Sequence, residues 1–238
     1  MISPYRNDFP PSSEALEYPN GLLAVGGTLS SERLVAAYRR GIFPWYEEPQ
    51  PVMWWTPDPR SILLPEALHI SRSLHKVLRQ DRFQLSVDRC FNTVMQHCAR
   101  VRAKGPGSDG PGTWIGKDML QAFCQLHDRG IAHSIEVYNE EGELVGGLYG
   151  VALGRAFFGE SMFSLQPNAS KVAMVALVYL LKKAGFRFID CQVESEHLNS
   201  LGARNISRVD FERLLIQTVD MTVNPKVWAV PASCGGLL

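Results

Sequence analysis

The sequence predicts an α+β protein: a mixed sheet with helices, preceded by a small N-terminal domain. Three observations carry this. Three strand-like runs, His133 to Tyr138, Leu144 to Leu153 and Arg155 to Phe163, are separated only by Glu140-Glu141-Gly142-Glu143 and Gly154, which makes an antiparallel meander. An apolar helix from Ala169 to Lys183 ends at Gly185 and feeds a further strand, Phe186 to Gln192. The first sixty residues are instead rich in Pro, Gly and aromatics around one helix. The division therefore falls between a domain of residues 1–61 and one of residues 62–238.

Along the first domain, Ser30 or Ser31 can cap a helix in which Leu34, Ala37 and Tyr38 recur at helical spacing, and Gly41 ends it. Ile42-Phe43-Pro44-Trp45-Tyr46 and Met53-Trp54-Trp55-Thr56-Pro57-Asp58-Pro59-Arg60 read as turn-rich and aromatic. In the second domain, a basic helix from Ser71 to Gln80 precedes a strand at Phe83 to Val87. Asp88 is expected to cap a second helix reaching Lys104, Gly105 to Gly112 is a loop, and a helix from Lys117 to His127 closes at Gly130. The meander, buried helix and returning strand together point to an acyltransferase-like sheet, although architecture does not decide chemistry.

The chain has 238 residues, 45% apolar and 20% charged, with 24 Lys+Arg against 24 Asp+Glu. Such a composition excludes a disordered chain and a binder held to nucleic acid by net charge. Its longest apolar run, Val172 to Leu181, falls short of the roughly 18 residues that span a bilayer, and Met1 to Arg6 lacks a signal-peptide pattern, so no membrane partner and a cytoplasmic location are expected. The cysteines form no Cys-x-x-Cys and the histidines no His-x-x-x-His, which favours reduced thiols and no metal. No Gly-x-Gly-x-x-Gly or Walker pattern occurs, so nucleotide cofactors and acyl-coenzyme A lose ground.

Candidate chemistry gathers in the second half. Glu160 lies in the apolar run Phe157-Phe158-Gly159-Glu160-Ser161-Met162-Phe163, and Asp190 and Gln192, two apart on a strand, share one face. A charge facing an apolar interior is costly unless paired, which marks either a site or a satisfied structural carboxylate. Cys191 faces the other way, and Ser161 lacks the Gly-x-Ser-x-Gly elbow of a hydrolase nucleophile. Charge is also uneven: residues 1–59 carry 4 Lys+Arg against 7 Asp+Glu, residues 60–104 carry 9 against 3, and residues 105–238 carry 11 against 14. Arg72, Lys76 and Arg79 fall on one helix face. A solvated face is the plain reading, but basic residues beside aromatics also suit the end of a single nucleic-acid strand.

Taken together, these segments resemble the bacterial leucyl/phenylalanyl-tRNA–protein transferase family. The resemblance runs in order through Pro19 to Gly27, Ala37 to Trp45, Trp54 to Arg60, Gly112 to Ile115, His133 to Val137, Gly159 to Ser164, Asn168 to Lys171, Ile189 to Gln192 and Ser200 to Ala203. It implies an acetyltransferase-like second domain and transfer of Leu, Phe or, less efficiently, Met from Leu-tRNA, Phe-tRNA or Met-tRNA to proteins or peptides with N-terminal Arg or Lys. The product would be marked for N-end rule degradation. By the same resemblance, Glu160, Asp190 and Gln192 form the catalytic group, and Leu148, Met162 and Ile189 line the pocket for the transferred side chain. Tyr38, Trp45, Trp114 and Phe123 surround the tRNA's terminal adenosine, Phe123 standing where a tyrosine is expected, and Arg72, Lys76 and Arg79 contact phosphates.

No cofactor and no metal would be needed, because the aminoacyl ester is already activated, and a monomer would suffice. Asp190 is expected to fix and polarise Gln192, whose amide oxygen accepts a hydrogen bond from the attacking amine. Two other readings fit the same residues: an acyl-coenzyme A-dependent N-acyltransferase and a noncatalytic module that binds the tRNA 3′ end.

Overall fold

Short strands, two of them carrying aromatics, build a first sheet. The structure, a computed structural model, describes residues 1–3, 5–102 and 115–238. Strands β1 (Leu22–Val25), β2 (Phe43–Pro44) and β3 (Met53–Trp55) pair in the order β1-β3-β2, with helix α1 (Ser31–Tyr38) between β1 and β2 in the chain. The Ser30 side chain caps α1 by accepting the Arg33 N–H. The stretch expected to be turn-rich thus holds two strands, of two and three residues, each below the length at which a period of two can be read.

The chain then enters a second sheet at β4 (Arg60–Leu63), so the expected domain boundary after residue 61 falls inside a strand. Next come α2 (Arg72–Gln80), β5 (Gln84–Val87), α3 (Phe91–Arg102), α4 (Lys117–Asp128) and the expected meander, β6 (Ala132–Tyr138), β7 (Leu144–Leu153) and β8 (Ala156–Ser164). Helix α5 (Ala169–Lys183) crosses to β9 (Phe188–Gln192), which pairs parallel to β8, and α6 (Glu196–Asn199), β10 (Arg204–Ile206) and α7 (Arg208–Ile216) follow. The order is β10-β4-β9-β8-β7-β6-β5, a mixed sheet with helices, as the sequence predicts.

Alternation along its central strands separates two cores. Phe157 and Ile189 face α5, whereas Phe158 and Phe188 face Leu34 and Tyr38 of α1 and Val94 of α3. Helix α5 buries residues all the way round, which is why its sequence shows no polar stripe. Among the described residues, no helix is long and apolar enough to cross a membrane.

One local expectation fails. Asp88 does not cap α3: it sits at φ 58, and its carboxylate accepts the Ser134 N–H at 2.8 Å and lies 2.7 Å from His133 Nδ1. The amides before α3 turn instead to buried Glu136, with Arg89 N and Cys90 N each 3.4 Å from its carboxylate. That carboxylate is 46 residues from Cys90 in sequence, beyond the reach of any local capping pattern.

Close approach fixes α5 on the sheet at Gly146, where an added Cβ would lie 2.5 Å from Ala169 Cβ and 2.9 Å from its carbonyl carbon. Gly146→Ala should therefore lower stability by about 1–3 kcal/mol in urea denaturation, the usual cost of overpacking. An unchanged midpoint would contradict this packing account.

Candidate active site

The site forms where β8 and β9 run side by side. On β8 the register with β7 slips by one residue: Tyr149 faces Ser161 and Gly150 faces Gly159, leaving Glu160 as the extra residue of a bulge. The bulge resets the pleat. Phe157 and Met162, five residues apart, consequently pack with the same core, which an unbroken strand would forbid. Glu160 is buried at 7% exposure, and Asp190 of β9 at 0%.

A second irregularity ends β9. Gln192 sits at φ 64, the left-handed region, and the Val193 N–H reaches back to the Cys191 carbonyl at 2.8 Å, closing a tight turn around it. The Asp190 Oδ1 atom accepts the Gln192 backbone N–H at 2.9 Å. The Gln192 side chain donates from Nε2 to Glu160 Oε1 at 3.0 Å. Glu160, and not the Asp190 carboxylate, therefore fixes the Gln192 amide; Asp190 fixes its backbone. The expected polarisation of that amide by Asp190 is corrected accordingly.

Both Asp190 oxygens are engaged by a residue whose role the sequence did not reveal. Arg60, at the start of β4, donates from Nε to Oδ1 at 2.8 Å and from Nη2 to Oδ2 at 2.6 Å, with both side chains fully buried. Its guanidinium lies between the Phe43 and Phe211 rings, 4.9 and 4.4 Å from their centroids. The signal was present as Arg60 itself, the last residue of the Trp54 to Arg60 segment, but no local spacing pairs a residue with one 130 positions away.

Burial pushes the Glu160 carboxyl up to about 8, with the Asp190 charge adding to the rise. The Tyr38 hydroxyl, the Gln192 amide and Arg60 oppose it. The Tyr38 phenol is itself pushed well above its ordinary range by burial and by Glu160. Burial likewise pushes the Cys191 thiol well up, which removes it as a nucleophile.

A cavity of about 420 Å³ opens beside these groups, walled by Leu148, Met162 and Ile189 and reached by Glu160, Asp190 and Gln192. The sequence-derived catalytic and pocket residues thus meet around one space. The aromatics divide differently. Trp45 is 43% exposed and packs against Trp55, with ring centroids 5.9 Å apart. Tyr38 and Phe123 are fully buried in the core and offer no ring face to a base; Tyr38 packs on Phe158 and Phe123 on Tyr149. Helix periodicity marks both as buried aromatics but does not say what covers them. Trp114 lies outside the described residues. Arg72, Lys76 and Arg79 are exposed along one face of α2, opposite buried Leu74 and Leu78.

Residues 62–216 match the family model described as leucyl/phenylalanyl-tRNA protein transferase, and residues 27–58 match the model of that family's N-terminal domain. The protein is therefore an aminoacyltransferase. Relatives carrying the same description include those of Azotobacter vinelandii, 57% identical over 90% of this chain and 92% of that one, and Pseudomonas entomophila, 58% identical over 89% and 91%. The chain belongs to the leucyl/phenylalanyl-tRNA protein transferase family. Solved structures are more distant. L-PGS from Bacillus licheniformis is 15% identical with a TM-score of 0.38 over 69% of this chain and 51% of that one. A GCN5-related glucosamine N-acetyltransferase region of a fungal multi-domain enzyme is 12% identical with a TM-score of 0.43 over 68% and 20%. Scores this low do not bear on function.

The raised Glu160 carboxyl carries a stability consequence. Folded, it keeps its proton up to about pH 8, against an ordinary 4.5 for an exposed carboxyl. Between those values the folded state binds more protons than the unfolded, so this group's contribution falls as pH rises through the window and is level above it. Glu160→Gln removes the term, and its stability relative to the parent should rise steadily across that window in urea denaturation. A constant difference between the two proteins would contradict the raised value.

Proposed function

We propose that the enzyme takes leucine, phenylalanine and, less efficiently, methionine from aminoacyl-tRNA and joins them to the α-amine of proteins beginning with Arg or Lys. In the cytoplasm this would mark them for N-end rule degradation, with the enzyme acting as a monomer without cofactor or metal. The observation that carries the reading is the Gln192–Glu160 hydrogen bond at the rim of an apolar cavity. An amide whose nitrogen is tied to Glu160 presents its oxygen as an acceptor, and the cavity beside it suits an apolar side chain unbranched at Cβ.

The reaction balances with these groups alone. The amine nitrogen attacks the ester carbonyl; a C–N bond forms, the C–O bond to the ribose breaks, and the proton lost from nitrogen ends on the ribose oxygen. An α-amine has a pKa of about 7.7–8.0. Glu160, at about 8, is matched to it, so an ammonium pairing with the Glu160 carboxylate can hand over a proton at little cost. The neutral amine is then held by Gln192 Oε1. Asp190 is no base here, since Arg60 and the Gln192 backbone occupy it. Alignment of amine and ester can supply about 7–11 kcal/mol, the larger part of what such a transfer needs.

Selection is apolar and graded. Met162 suits side chains of different shape, and the loss or displacement of one methyl(ene) is worth only about 1–3 kcal/mol, so Val and Ile are disfavoured rather than excluded. Trp45, with Trp114 by family resemblance, stacks the terminal adenosine, while Tyr38 acts on the Glu160 carboxyl. The exposed Arg72, Lys76 and Arg79 neutralise acceptor-stem phosphates.

Radiolabelled Leu-tRNA incubated with a peptide beginning with Arg should label the peptide's α-amine, and prior ribonuclease should abolish labelling. No transfer would sink the reading, and ribonuclease-resistant transfer from acyl-coenzyme A would favour the other acyl donor. Trp45→Ala should raise KM for aminoacyl-tRNA roughly 5- to 100-fold, the loss of one stacking contact; an unchanged KM would leave the ring without this role. The logarithm of tRNA affinity should fall linearly with that of salt, and Arg72→Ala should flatten the slope by about one. A slope near zero in the parent would leave the basic face without a partner.

A further inference from the structure

We propose that Arg60 is a positioning residue of the transfer reaction, acting through Asp190 to hold the turn that aims Gln192 at the amine. The inference rests on the reading of Gln192 given above. Its basis is a continuous chain of contacts. Arg60 grips Asp190 with two hydrogen bonds of 2.8 and 2.6 Å, Asp190 Oδ1 grips the Gln192 N–H at 2.9 Å, and the Gln192 amide reaches Glu160 at 3.0 Å.

The middle link is the one that needs holding. Gln192 at φ 64 occupies a region that residues with a side chain enter only when their surroundings force them. The ladder between β4 and β9 also breaks here: Ile62 faces Asp190 while Ser61 faces Gln192, so Cys191 is the extra residue. With the ladder broken, the Asp190 side chain supplies the acceptor that the neighbouring strand does not. A carboxylate can do this steadily only if its own orientation is fixed, and a buried bidentate guanidinium wedged between Phe43 and Phe211 fixes it. A buried ion pair contributes little net stability compared with apolar residues of the same volume, so its use here lies in the geometry it enforces.

Without the clamp, Asp190 can rotate, Gln192 can relax to extended backbone, and its amide leaves Glu160. The cavity walls and the tRNA-binding surface stay as they were. Arg60→Met should therefore lower kcat by about 100-fold, the effect of misplacing one group by an ångström, with KM for aminoacyl-tRNA within about threefold of the parent. Arg60→Lys keeps the charge but not the fork and should recover part of the kcat; it also serves if the Met variant does not fold. The decisive comparison is with Gln192→Ala. If Arg60 acts through Gln192, Arg60→Lys in the Gln192→Ala background should cost almost nothing further. Losses that multiply, a kcat within threefold of the parent for both Arg60 variants, or a KM that rises in step with the fall in kcat would overturn the proposal. Full activity of Gln192→Ala alone would instead remove the reading of Gln192, and this proposal with it.

Discussion

Two carboxyl groups, Glu160 and Asp190, are taken out of water on adjacent strands, and the surrounding structure is arranged around that cost. Both cannot be left bare in an apolar interior. The protein treats them in opposite ways. Asp190 receives a bidentate guanidinium and a backbone N–H, whereas Glu160 receives the Gln192 amide and is raised to about 8. Asp190 is thereby fixed in place, and on the proposed reading Glu160 is the group that exchanges a proton near neutral pH.

That division explains why the first sheet and the second are packed into one core. Arg60 opens β4 directly after the aromatic strand β3, and its rings come from both ends of the chain, Phe43 on β2 and Phe211 on α7. Tyr38, on α1, couples electrostatically to Glu160. Elements of the N-terminal segment thus supply the clamp and the phenol, while β8, β9 and α5 supply the cavity. The boundary expected after residue 61 lies within β4 and between the stretches matched by the two family models.

Regular structure was legible because it repeats. The α5 run, the meander and the basic face of α2 each present a period or an unbroken apolar stretch, and their limits in the structure lie within a residue or two of those read from the sequence. The site was legible only as residue types. Glu160 in an apolar run betrays a special position, but the bulge that re-aims it inverts the alternation from which facing is read, so Phe157 and Met162 come to share a side. Asp190 and Gln192 do stand two apart, and both line the cavity beside Glu160, but no strand pattern marks the left-handed turn at Gln192. Glu136 takes the part expected of Asp88 for a related reason: an acceptor for the amides before a helix can come from a neighbouring strand as readily as from the preceding residue.

Charge follows the same logic of local arrangement. A net charge of zero describes the chain but not any of its surfaces, since residues 60–104 carry 9 Lys+Arg against 3 Asp+Glu. One of those cations, Arg60, is not on the surface at all. It belongs to the site, and the exposed basic face is the set on α2. On the proposed reading, these two uses of positive charge are separable. The α2 face sets how tightly RNA is held and how steeply salt weakens it, while Arg60 sets where one amide oxygen points. An ester already activated by its link to RNA asks little more of the protein than that second service. A site built on a fixed anchor, a strained turn and a carboxyl matched to an amine is suited to supply it without a strong base.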